Sequence, residues 1–220
     1  MTDVKKFNNQ SLGEEIANAI SHGVGTLLAL AGTAVLIVRA CFVSDVFGIV
    51  SASIYGFAMI VLFLMSTLYH SLTNKKAKRV FQVFDHCSIF LLIVGTYIPI
   101  SLAMIRGPLG WTLFGIEAGL GVLGITLNAI NVAKWHKLSL FMYILMGWCV
   151  VIAIFPVAKI LGPDPLAWSL MVGGGVTYTV GIIFYRAKKP RFMHSVWHLF
   201  VVIAAALFYF FTFIYVLPLQ

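Results

Sequence analysis

Seven runs of apolar residues, each about twenty long and almost free of charge, recur along this chain, and that recurrence limits the fold more than any other feature. They extend approximately over His22 to Ala40, Gly48 to His70, Phe84 to Ala103, Trp111 to Asn131, Leu138 to Val157, Trp168 to Tyr185 and Met193 to Leu217. A hydrocarbon core of roughly 30 Å needs about 20 residues at a rise of ~1.5 Å, so each run can cross a bilayer as a helix. Only 10% of the 220 residues are charged and the mean hydropathy is +1.00, which leaves too little polar surface for a soluble domain. The expected fold class is therefore all-α integral membrane, a seven-transmembrane-helix bundle. Short loops and the lack of a Pro/Ser linker make residues 1–220 one domain.

Charge sets the expected orientation. Lys5 and Lys6, Lys75, Lys76, Lys78 and Arg79, Lys134 and Lys137, and Arg186, Lys188, Lys189 and Arg191 fall on one side of the spans. Only Arg39, Arg106 and Lys159 fall on the other, so the count is twelve against three. The positive-inside rule makes the twelve cytoplasmic, with residues 1–20 a cytoplasmic N-terminal segment and the C-terminus outside. The polar, lysine-bearing start reads as part of a retained anchor rather than a cleaved signal. Basic residues confined to such positions account for the net charge of +8, and nucleic acid is not an expected partner. Cys41, Cys87 and Cys149 lie in or beside separate spans without C-x-x-C spacing and read as packing residues. Gly115-x-x-x-Gly119 and Gly173 to Gly175 are expected to let helices approach closely, whether within one chain or between copies.

The histidines carry the chemical signal. His22 begins span one, His70 ends span two, His86 begins span three, His136 precedes span five, and His194 and His198 begin span seven. All six therefore lie toward the expected cytoplasmic face, which the positive-inside rule does not require of a neutral side chain. His194-Ser-Val-Trp-His198 places two imidazoles one helical turn apart on one face. Ser66-Thr-Leu-Tyr-His70 brings a third, with the Ser66 hydroxyl one turn deeper. Three histidines with one open position suit a catalytic Zn2+. Asp85, at the start of span three, supplies a carboxylate suited to a general base. The same spacing also serves interfacial or structural histidines. Glu117, in span four far from the histidines, suggests an interhelical hydrogen bond before a relay; His22 and His86 suggest interfacial placement, and Trp111, Trp135 and Trp168 an aromatic belt.

At these residues the chain resembles the hemolysin III family, the bacterial branch of the progestin and adipoQ receptor superfamily that includes the adiponectin receptors. The resemblance spans nearly the whole chain. It is carried by Glu15-Ile-Ala-Asn18-Ala-Ile-Ser-His22-Gly, Ser66-Thr-Leu-Tyr-His70, Phe84-Asp85-His86-Cys87 with Gly95-Thr-Tyr-Ile-Pro99, and His194-Ser-Val-Trp-His198. It implies a zinc ion held by His70, His194 and His198, with Asp85 engaging a water on the metal and Ser66 close by. It also implies an inside N-terminus, a bacterial plasma-membrane location, and hydrolysis of a lipid amide in the manner of ceramidases, serving membrane lipid homeostasis.

Membrane lipids are the expected partners, with a lipid as substrate. A sensor of membrane state with a structural zinc is the alternative, and a cytolytic pore former ranks third, since a pore-forming toxin is ordinarily soluble before insertion. Six histidines are too few for a di-iron desaturase with about eight ligands. No G-x-S-x-G element surrounds Ser66 to support a serine hydrolase.

Overall fold

The computed structural model describes residues 10–187 and 189–219; Lys5, Lys6 and Lys188, counted above, lie outside them. All regular structure among the described residues is helical: α1 (Leu12–Val43), α2 (Val46–Ser71), α3 (Lys75–Ile98), α4 (Gly107–Gly147), α5 (Ile154–Leu161), α6 (Pro165–Arg186) and α7 (Met193–Phe211). The first helix starts where its chemistry dictates. The Ser11 hydroxyl accepts the Glu14 N–H while the Glu14 carboxylate accepts from the Ser11 N–H, a reciprocal capping box. This start brings residues 12–21 into one continuous helix with the first apolar run.

The pattern along α1 is inverted relative to a soluble helix. Its buried face carries Asn18, His22, Thr26 and Thr33 among small residues, while Leu27, Leu28, Val35, Val38 and Phe42 are exposed. Polar side chains are costly in hydrocarbon and aliphatic ones are not, so the first set turns inward and the second faces lipid. Six helical segments among the described residues are long and apolar enough to cross a membrane, which makes the chain a multi-pass membrane bundle.

The fourth segment, Gly107–Leu161, has 55 residues. Straight, it would measure about 80 Å, far more than a bilayer is thick. It reverses at Asn131, whose backbone is extended (φ −166°, ψ 97°) and whose side-chain oxygen accepts the Lys134 N–H at 3.0 Å, capping the limb that follows. The Ser139 hydroxyl donates to Asn128 Oδ1 at 2.8 Å, and the Asn128 amide reaches the Tyr143 hydroxyl at 3.4 Å. In a straight helix these pairs would stand ~16 and ~22 Å apart, so limbs 107–130 and 132–161 lie side by side. A 3-10 turn, Cys149–Ala153, interrupts the second limb before α5.

Successive helices α1, α2, α3 and α4 pack in order, α6 packs on α7, and α7 closes on α1. Small residues allow the approach. A Cβ on Gly25 would lie 2.8 Å from the Phe63 ring, one on Gly95 2.6 Å from the Ala58 methyl, and one on Gly174 2.7 Å from Phe208. Gly115 and Gly119 make no close approach within this chain, since a Cβ at either meets nothing within 4 Å. Spacing marks a flat stripe but not whether a helix lies on it, and this stripe faces away from the bundle. Gly121 against Val94 and Gly124 against Phe90 make the close contacts of α4 instead.

The three cysteines are free. Lys75 to Arg79 form the first turns of α3, capped by Asn74, rather than a loop. The bundle thus has one end holding the start of α1, the end of α2 and the starts of α3 and α7. At the opposite end the Arg106 guanidinium pairs with Asp45 at 2.7 Å and the Tyr215 hydroxyl donates to Asp164 at 2.9 Å.

Candidate metal centre

The last turn of α2 supplies His70, and the first two turns of α7 supply His194 and His198. The start of α7 is tied to the start of α1, because the Phe192 N–H donates to Glu14 Oε1 at 3.1 Å. The three imidazoles converge, with ring centroids 5.1 Å apart for His70 and His198, 5.3 Å for His70 and His194, and 4.7 Å for His194 and His198. Each offers a nitrogen within 4.8 Å of the others, a group that can hold a metal ion. His198 is fully buried and His70 nearly so.

Hydrogen bonds behind the rings decide which nitrogens face the centre. His70 Nδ1 lies 2.7 Å from Glu15 Oε2. A carboxylate only accepts, so Nδ1 carries the proton, and in the neutral ring Nε2 keeps its lone pair. The other oxygen of Glu15 pairs with Lys78 Nζ at 2.8 Å, forming a chain from α3 through α1 to α2. His198 Nδ1 lies 3.2 Å from the Asn18 carbonyl and 3.1 Å from Ser21 Oγ, whose own proton goes to that same carbonyl at 2.9 Å. His198 Nδ1 is therefore also the donor. The Nε2 atoms of His70 and His198 are buried with no hydrogen-bond partner among the described residues. Orphaned lone pairs on rings anchored from behind are what a metal ligand requires, and the residues present fit zinc.

Asn18 is the hub of this support. It is fully buried, accepts the Ser195 hydroxyl at 2.6 Å on Oδ1, and donates its amide to Gln10 Oε1 at 2.9 Å. Glu15, Asn18 and His22 follow an i, i+3, i+7 spacing that places all three on one face of α1. That spacing was available in the sequence and is the signal by which their supporting roles can be found.

His22 corrects the expectation of interfacial placement. It is 2% exposed and stacks on His198 at 3.6 Å between centroids with planes 10° apart. Helix α1 begins a full ten residues before His22, which carries that ring inside the bundle. His86 and His136 stay apart from the four-ring group: His86 Nδ1 bonds to the Gln82 carbonyl of its own helix at 2.9 Å, and His136 faces the Tyr185 hydroxyl at 3.4 Å.

Ser66 lies one turn from His70, 1% exposed, and its hydroxyl has no partner among the described residues. Asp85 lines a cavity of about 110 Å³ that His22 and Trp197 also line, so the cavity adjoins the histidines. The walls are mostly apolar, and the lining continues along α3 from Asp85 through Leu92 to Tyr97, about 18 Å at helical rise. Glu117 is far from this end and fully buried. Its carboxyl faces the Cys149 thiol of the second limb, the side-chain partner that the expected interhelical hydrogen bond calls for.

Residues 10–209 match the model of the family described as "Haemolysin-III related". The chain is 40% identical over 218 residues to "Hemolysin-3" of Bacillus cereus, covering 99% of each chain. It is 42% identical over 200 residues to "Hemolysin-3 homolog" of Bacillus subtilis (strain 168), covering 91% of this chain and 93% of that one. A human relative, "Monocyte to macrophage differentiation factor", is 28% identical over 207 residues, 90% of this chain and 82% of its own. The bundle, the histidine group it assembles and these near-full-length matches establish the chain as a multi-pass bacterial membrane protein belonging to the haemolysin-III-related family of the progestin and adipoQ receptor superfamily.

Proposed function

We propose that this protein is a zinc-dependent membrane hydrolase that cleaves a lipid amide at the cytoplasmic interface, with zinc held by His70, His194 and His198. The carrying observation is the pair of buried, unpartnered Nε2 atoms on rings fixed by Glu15 and Asn18. When bound, zinc supplies a Lewis acid that polarises a carbonyl and makes water nucleophilic near neutral pH. Glu15, Asn18 and Ser21 hold the rings in the tautomer that binds. Asp85 takes the proton from the attacking water and returns it to the departing amine, so that amide and water become carboxylic acid and amine. Ser66, on the face of His70, donates a hydrogen bond at the substrate's carbonyl end. The apolar walls beyond Asp85 accept an acyl chain.

The reading includes a single seven-span domain, with the limbs on either side of Asn131 crossing separately. Its N-terminus is cytoplasmic, as the twelve-to-three distribution of Lys and Arg indicates. The test is fatty-acid release from a panel of ceramides and other N-acyl lipids, wild type beside Asp85→Asn. Turnover that falls about 100-fold or more in the variant supports the reading. Equal rates, or no hydrolysis of any N-acyl lipid by zinc-loaded protein, would overturn it.

A second reading, a membrane-state sensor in which zinc clips α2 to α7, is favoured by how many helices the Glu15 and Asn18 bonds join. It predicts that chelation lowers thermal stability while Asp85→Asn keeps function. The relatives' name suggests cytolysis; leakage from vesicles at physiological protein density would be its evidence.

A further inference from the structure

A groove at the opposite end of the bundle carries a cation with no ion-pair partner among the described residues. Ala34, Val35, Val38, Phe42, Val43 and Phe213 form it around Arg39, between the last turns of α1 and the end of α7. Its outer walls are Val35, Val38 and Phe42, exposed by 53%, 56% and 84%. In a membrane-spanning chain these side chains face lipid.

The position of Arg39 follows from the sequence of α7. Beyond Phe211 the helix widens into a π-helical turn, Thr212–Val216, in which the Leu217 N–H bonds to the Thr212 carbonyl. The next bond in that register would run from residue 218 to the Phe213 carbonyl. Residue 218 is proline and has no N–H. Arg39 replaces the missing donor, its Nε–H bonding to the Phe213 carbonyl at 2.8 Å, and its guanidinium carbon lies 4.3 Å above the centre of the Phe213 ring.

That bond uses one edge of the guanidinium. The two terminal nitrogens find no acceptor, and Arg39 joins no ion pair, among the described residues. Asp45, just beyond the end of α1, is already paired with Arg106 at 2.7 Å. The charge therefore stands on the lipid side, fixed in direction by its cap and flanked by an apolar groove of acyl-chain character. Its complement is an anionic oxygen attached to a hydrocarbon chain.

We propose that Arg39 and this groove bind one anionic phospholipid, the guanidinium's free edge taking the headgroup phosphate and the groove taking the first part of an acyl chain. The orientation proposed above puts this lipid in the outer leaflet; the site itself does not depend on that orientation or on zinc.

The test is native mass spectrometry of the full chain titrated with phosphatidylglycerol or phosphatidylcholine, comparing wild type, Arg39→Gln and Ala34→Trp. The second variant fills the groove and leaves the Arg39 cap in place, which separates lipid binding from any folding defect in the first. One saturable phosphatidylglycerol, held about tenfold more weakly in Ala34→Trp and in folded Arg39→Gln, supports the proposal. Equal retention in wild type and Ala34→Trp, or phosphatidylcholine bound as tightly as phosphatidylglycerol, would overturn it. Fatty-acid release measured on the same samples reports separately on the hydrolase reading.

Discussion

Glu15 touches no metal in the proposed centre, yet replacing it should loosen zinc by a calculable amount. Its carboxylate accepts the hydrogen bond of His70 Nδ1–H at 2.7 Å and is itself held by Lys78 at 2.8 Å. A hydrogen bond to a charged acceptor contributes about 1.5–3 kcal/mol and a neutral one about 0.5–1.5. Glu15→Gln keeps an acceptor and loses the charge, a difference of about 1–1.5 kcal/mol, or about 5- to 13-fold in affinity. Glu15→Ala leaves Nδ1 without its acceptor and frees the ring to turn, where losses of about 10- to 100-fold are usual for a residue behind a metal-bound histidine. Lys78→Gln keeps the carboxylate, so its effect should be the smallest of the three. Competition with a chromogenic zinc chelator on detergent-purified protein measures all of these, with His70→Ala as the variant that removes a ligand. A Glu15→Ala affinity within about twofold of wild type, when His70→Ala has lost binding, would refute the claim that this bond orients the ligand.

The packing and the opposite end give two further expectations. Gly124→Ala drives a methyl into the Phe90 ring and should destabilise the bundle by about 1–3 kcal/mol, whereas Gly115→Ala enters open space and should be neutral or gain up to about 1 kcal/mol in helix propensity; thermal unfolding in detergent compares them. The Asp164 carboxylate is held below its ordinary range first by the Tyr215 hydroxyl and then by the Ala167 and Leu166 amides at the start of α6. A depressed carboxylate stabilises the fold at pH values above its unfolded pKa of about 3.9 and loses that contribution as the pH falls through the lower folded value. Asp164→Asn should flatten that acid limb of a stability-against-pH curve, and an unchanged limb would show that Asp164 does not contribute to it.

Hydropathy made the membrane class legible because transfer into lipid is a property of each run by itself. The ends of helices were less so. Lys75 to Arg79 look like a loop by composition, but the Asn74 cap starts α3 there. The reversal in the fourth segment fell at the expected end of a span, Asn131, while its second limb begins at once through that residue's own cap instead of after a loop to Leu138. In the site, periodicity gave His194 with His198 and Ser66 with His70, pairs within single helices. It could not place His22, whose burial depends on α1 starting early and lying against α7. Glu15 and Asn18 were visible as part of a motif but without roles, because those roles are bonds to residues 55 and 177 positions away. Gly115 and Gly119 show the converse, since the spacing is present and no helix of this chain's described residues lies against it.

The central claim is that His70, His194 and His198 hold zinc, and metal content tests it most directly. Inductively coupled plasma mass spectrometry of detergent-purified protein, wild type beside His194→Ala, should find about one zinc per chain in the first and loss of it in the second. Absence of bound metal in wild-type protein supplied with zinc, or zinc retained in full by His194→Ala, would contradict the account.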